Sequence, residues 1–200
     1  MSNISQIYLE GLSRNRTIMS LVTFGAEIFL DAYVIQNLNS LTDFLSEHEN
    51  KPKNGKEIWH FLEPFAWNRM IDDVRILSCF ENVLKAELID KGFLVHELEE
   101  KKKTQKKQPI KFQELSDREK LMLKDFTLQI STILGRESYS TLLSIPHAFK
   151  VELKRIAVDR NRLHLIDSLN ISYSLERVVL LQEMKTYIQG MIEKIKKHST

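Results

Sequence analysis

Residues that break helices are scarce in this chain. It has 6 glycines and 4 prolines in 200 residues, too few for the many tight turns of a sandwich or a doubly wound sheet. Where turns are rare, long helices are the economical way to fill a domain. The apolar residues agree. From residue 3 to 48, Ile4, Ile7, Tyr8, Ile18, Leu21, Val22, Ile28, Phe29, Ala32, Ile35, Leu38, Leu41 and Leu45 recur mostly at spacings of three and four, which collects them on one helical face.

The same period predicts the rest of the architecture. A polar stretch over 47–55, with Pro52 and Gly55, reads as a loop. A second long helix is expected from about Pro64, carrying Met70, Val74, Leu77, Phe80, Leu84, Leu88, Leu94 and Leu98, with Gly92 as a break within it. Five lysines between 101 and 107 form a loop that runs to Pro109. Ser116 and Glu119 stand at capping-box spacing and open a third helix through Leu134, which Gly135 stops. Residues 138–145 suit a short helix or an extended piece. Pro146 opens a helix over roughly 147–168, and a last helix spans about 174–197, its C-terminal lysines complementing the helix dipole. The expectation is all-α: one domain over 1–200, a bundle of about five helices, with no convincing strand and the lysine-rich loop 101–109 within it.

Several function classes are disfavoured. The net charge is +2, from 29 basic and 27 acidic residues, so a nucleic-acid partner has to be argued from local patches. The one cysteine, Cys79, cannot pair within the chain and sits in an apolar run, where a buried inert thiol is expected. No segment reaches the ~18 apolar residues of a membrane span, and the first residues lack the basic and apolar regions of a signal peptide, so a cytoplasmic chain without membrane partners is expected. Phosphate-loop, dinucleotide-binding, CxxC and HExxH patterns are absent from the sequence, so no cofactor and no metal are expected. The pairs Asp72-Asp73 and Glu99-Glu100 are adjacent, and adjacent helical side chains diverge by about 100°. They read as solvated-face charges rather than facing carboxylates.

The residues that most resemble chemistry lie near the end of the 147–168 segment. Arg160 and His164 are four apart, hence one turn apart on one face of a helix, with Asn161 on the flank. Neighbouring cations repel, which favours a neutral imidazole near pH 7. A neutral imidazole can take the proton of a ribose 2′-OH, while a guanidinium holds the adjacent phosphate through two hydrogen bonds. These are the parts of metal-independent RNA cleavage.

The run Arg160-Asn161-Arg162-Leu163-His164 resembles the Arg-polar-x-x-x-His signature of the HEPN superfamily, small helical bundles found in ribonucleases, toxin–antitoxin systems and antiviral defence. Three residues separate Arg160 from His164, one fewer than that signature usually has. The long helix through Phe80 and Asp90 to Gly92, the polar connection over 167–174 and the closing amphipathic helix are similar to the family's plan. The resemblance implies that Arg160 binds the scissile phosphate, Asn161 orients groups and His164 does the acid–base work. It also implies a homodimer, because one Arg/His pair is half of a two-sided site, and an RNA substrate, with an antitoxin or defence-system protein as a further partner.

Other basic residues extend this reading. Lys154, Arg155 and Arg162 would widen a positive surface around the motif, and Lys101, Lys102, Lys103, Lys106 and Lys107 would contact RNA phosphates. Lys154 and Arg162 would equally pair with Glu152 and Asp159 as surface charges. The aromatic group Trp59, His60, Phe61, Phe65 and Trp67 reads as core or dimer surface. His48, His96 and His198 read as exposed, in charged surroundings with no partner at ligand spacing, and His147 reads as a helix-start residue. The expected function is a HEPN-like endoribonuclease of bacterial defence or a toxin. The alternative is a noncatalytic helical module that assembles with a partner, and a weaker one is a nucleic-acid-binding accessory subunit using the lysine loop.

Overall fold

The computed structural model describes residues 4–30, 55–162 and 175–199. Its frame is helical. A 3-10 turn (Ser5–Tyr8) leads into α1 (Leu12–Val22), which continues as a π-helical turn over Thr23–Glu27. Helix α2 (Gly55–Asp90) follows, and the chain returns to long helices in α7 (His147–Arg162) and α8 (Leu175–Ser199). Helix α2 packs against α1, α7 and α8, and α8 also packs against α1 and α7. The buried residues keep helical spacing: Ile18, Val22 and Ala26 from the first segment, Leu77, Phe80, Leu84 and Leu88 from α2, Phe149, Leu153 and Ile156 from α7, and Leu181, Met184, Ile188 and Ile195 from α8.

Two side chains of α2 hold the π-helical turn. Asn82 Nδ2 donates to the Gly25 carbonyl at 2.7 Å, and Cys79 Sγ donates to the Ala26 carbonyl at 3.4 Å. A Cβ on Gly25 would lie 2.8 Å from Asn82 Nδ2 and 2.9 Å from its Cγ, so only glycine lets the two segments come this close. Cys79 is a buried free thiol pushed up to about 12 by burial, with Arg75 opposing the shift.

Between α2 and α7 lies a region of short elements: β1 (His96–Leu98), α3 (Lys102–Gln105), α4 (Asp117–Leu121), β2 (Leu123–Thr127), α5 (Ile130–Gly135) and α6 (Glu137–Leu142). Strands β1 and β2 are antiparallel, with His96 opposite Thr127 and Leu98 opposite Leu123, and the register is irregular between these pairs. The all-α expectation holds for the frame, while this small sheet was not expected. Helix α2 starts at Gly55 rather than near Pro64, and it stops at Asp90 instead of running to Leu98. Its end is a Schellman motif. Gly92 takes φ +77°, its N–H reaches the Ile89 carbonyl at 2.9 Å, and the Phe93 N–H reaches that of Leu88 at 2.8 Å. Leu94, just before β1, and Leu98, at its end, are both buried.

The expected third helix is also divided. The capping box forms as anticipated, with Glu119 N–H donating to Ser116 Oγ and Ser116 N–H to the Glu119 carboxylate. Helix α4 nevertheless ends at Leu121, and β2 follows. Leu123, Thr127, Ile130 and Leu134 keep three- and four-residue spacing along the sequence, so the pairing with distant β1 is a tertiary choice that overrides local pattern. The first part of the expected lysine loop is helical, as a 3-10 turn over Glu99–Lys101 and then α3, while residues 106–108 form a turn and a bend. Residues 138–142 lie in α6, and Pro146 precedes α7 as expected.

Candidate functional site

Helix α7 carries the motif at its C-terminal end. Arg160 and Asn161 fall in its last turn with Arg162; the side chains of these three, and His164 altogether, lie outside the described residues. What the structure shows is how the helix leading to them is fixed. Glu152, buried at 6% exposure, accepts Arg155 Nε at 2.9 Å and Nη2 at 2.8 Å, a two-pronged guanidinium–carboxylate pair. Arg177 of α8 donates its Nε to the same carboxylate at 2.6 Å and its Nη2 to Asp73 of α2 at 3.1 Å. Two carboxylates and two guanidiniums thus balance across three helices. Arg160 is eight residues beyond Glu152, about 12 Å along the axis at 1.5 Å per residue.

This arrangement revises two readings. Asp73 is a nearly buried ion-pair residue, so it is not a solvated-face charge. Glu152 is engaged by Arg155 and Arg177, not by Lys154, which is exposed on the outer side of α7. Arg155 therefore presents a guanidinium already committed to a carboxylate. Arg177 had no signal in sequence, because its partners come from residues 25 and 104 positions away.

The lysine run separates into two groups. Lys101 pairs with Glu119 at 2.8 Å and Lys102 with Glu97 at 2.9 Å. The Lys101 contact, with the bonds from Ser116, holds the Glu119 carboxyl near the low value of about 2, and the bond from Lys124 lowers that of Glu99. Lys103, Lys106 and Lys107 are exposed and take part in no ion pair among the described residues. Gln105 between them is buried. Its Nε2 donates to the His96 carbonyl at 2.8 Å, its Oε1 accepts the Leu98 N–H at 3.3 Å, and its own carbonyl accepts the buried Tyr139 hydroxyl at 2.7 Å. The sequence also hid Arg136, whose Nε donates to the Lys106 carbonyl at 3.0 Å, and Ser138, whose hydroxyl donates to that of Lys107 at 2.9 Å.

His96 is half-buried, contrary to its reading as a surface histidine. Its Nδ1 lies 2.7 Å from the Tyr8 hydroxyl. Burial holds its pKa below the usual histidine value, Asp125 opposes this, and Lys85 adds to it. Lys85 donates to Glu81 at 2.6 Å and to Thr127 Oγ1 at 2.9 Å. His198 lies 3.5 Å from Asp90.

A cavity of about 760 Å³ opens between the end of α2, α8 and the turn after α6, lined by Leu143, Ser144, Tyr187 and Met191 with Lys91 and Lys194 at Glu87. Ser144 takes φ +52°, and its carbonyl accepts the Tyr187 hydroxyl at 3.2 Å. Burial pushes that phenol up to about 12. The cavity adjoins the start of α7, whereas Arg160 lies thirteen residues further along, about 20 Å by helical rise. Among the described residues, no group of three or more His, Cys, Asp or Glu side chains is placed to hold a metal ion. No described helix is long and apolar enough to cross a membrane. No family model, curated protein or solved structure matches the chain.

Proposed function

We propose that this chain is a HEPN-like, metal-independent endoribonuclease acting as a homodimer in bacterial defence or as a toxin. The observation that carries the reading is the Arg160-Asn161-x-x-His164 pattern in the sequence, whose Arg160 and Asn161 fall in the last turn of α7, a helix pinned two turns earlier by the Glu152 ion pairs. In the reaction, the ribose 2′ oxygen bonds to the adjacent phosphorus and loses its proton to an imidazole. The bond from phosphorus to the 5′ oxygen breaks, and that oxygen takes a proton from the acid supplied by the second copy. Arg160 balances the charge that builds on the phosphoryl oxygens, and Asn161 orients the group by hydrogen bonding. Incubating a 5′-labelled RNA with the protein in EDTA tests this. Fragments ending in a 2′,3′-cyclic phosphate are the expected product, and RNA left intact by the folded protein overturns the reading.

A second reading, a noncatalytic assembly module, is favoured by one specific feature. Val151 and Val158, two turns apart on α7, are 53% and 49% exposed beside Lys154, a strip suited to a partner protein. Intact RNA together with loss of partner or self-association in Val151→Asp/Val158→Asp would support it.

A further inference from the structure

We propose that Lys103, Lys106, Lys107 and Arg136 form a preorganised surface for the sugar–phosphate backbone of single-stranded RNA, an inference that rests on the ribonuclease reading for the identity of its ligand. The lysine run divides its charge unevenly. Its first two members are spent on Glu119 and Glu97, and the nearby Lys124 and Arg118 face Glu99 and Glu100. The last three have no such partner among the described residues and stand exposed. Lys103 and Lys106 are three apart across α3 and the residue that caps it, one turn along the same side.

The fold then adds a fourth cation from far away in sequence. Arg136, at the junction of α5 and α6, donates only its Nε to the Lys106 carbonyl, and the residue is exposed. Its terminal nitrogens make no ion pair among the described residues, so the guanidinium edge is available to a phosphate. Glu137 is the acidic neighbour in this patch, and it too is exposed. The platform is held stiffly from beneath. Ser138 ties the Lys107 carbonyl, and the buried Tyr139 hydroxyl ties that of Gln105. With the backbone already tied at these two points, binding has only the side chains left to order.

The test is anisotropy of a labelled 20-nucleotide 2′-O-methyl polyuridine, which has no 2′-OH to attack, in EDTA across a salt series, with every variant checked for an unchanged melting temperature. Lys103→Gln/Lys106→Gln/Lys107→Gln/Arg136→Gln should weaken binding more than tenfold and reduce the magnitude of the log K against log salt slope by about 3, at roughly 0.7 per phosphate neutralised on a single strand. Lys101→Gln/Lys102→Gln should stay within about twofold of wild type. Arg136→Lys keeps the charge but loses the guanidinium edge and the tie to Lys106, so it should keep the wild-type salt slope while binding more weakly than wild type. Equal weakening by the two lysine sets, or an unchanged slope in the quadruple variant, overturns the proposal, as does a preference for phosphatidylserine vesicles over the RNA. Binding that behaves as expected while RNA stays uncut sinks the ribonuclease reading alone, and cutting with unchanged binding in the quadruple variant sinks this surface alone.

Discussion

The Tyr8 hydroxyl accepts the backbone N–H groups of Val95 and His96, each at 3.0 Å, and lies 2.7 Å from His96 Nδ1. A phenol oxygen that already accepts two donors has its own proton to give, so it donates to Nδ1 and places the imidazole hydrogen on Nε2. A proton added at Nδ1 would face that occupied oxygen. The same contact anchors the N-terminal 3-10 turn, since Tyr8 also stacks on Phe112 at 5.1 Å between ring centres.

The pH dependence follows with a definite sign. His96 is harder to protonate in the folded chain than in the unfolded one, where it titrates near 6.5. The unfolded state therefore takes up the proton first, and the contribution to stability is complete above 6.5 and lost as pH falls below it. The slope is at most about 1.4 kcal/mol per pH unit within that window. Urea unfolding from pH 5 to 8 should give a difference between wild type and His96→Gln that shrinks toward acid. A difference independent of pH would mean that His96 takes up a proton as readily in the folded chain as in the unfolded one.

Arg177 joins Asp73 and Glu152 from a position 11% exposed. Arg177→Met removes one guanidinium shared by two nearly buried carboxylates and should cost about 3–5 kcal/mol. Arg155→Met should cost clearly less, because that side chain is 33% exposed and Glu152 keeps Arg177. Chemical denaturation of both variants checks the order, and the reverse order contradicts the network.

Gly25→Ala tests the π-helical turn. The added methyl would press on Asn82, whose amide is fixed by its bond to the Gly25 carbonyl, and should cost about 1–3 kcal/mol. Pairing it with Asn82→Ala should return part of that loss in a double-mutant cycle. Additive losses would mean that the two residues do not touch.

The helical frame was legible because buried positions on α1, α2, α7 and α8 repeat every three or four residues, and because Ser116, Gly92 and Pro146 mark ends by local chemistry. The small sheet was hidden. Leu123 and Thr127 keep helical spacing in sequence, and only β1, some 25 residues away, makes them a strand. The surroundings of the candidate site were hidden for the same reason. Arg177, Arg136 and Tyr8 act through partners far along the chain, which no local pattern records. Arg160 and Asn161 could be placed at the end of α7, whereas His164 lies outside the described residues.

The most direct measurement is cleavage of a labelled RNA in EDTA by wild type beside Arg160→Ala and His164→Ala, each confirmed as folded. The account predicts that wild type cuts and that each single variant loses at least a hundredfold in rate, in line with removing an acid–base or phosphate-stabilising group. Wild type that leaves the RNA whole, or variants that cut as fast as wild type, would contradict it.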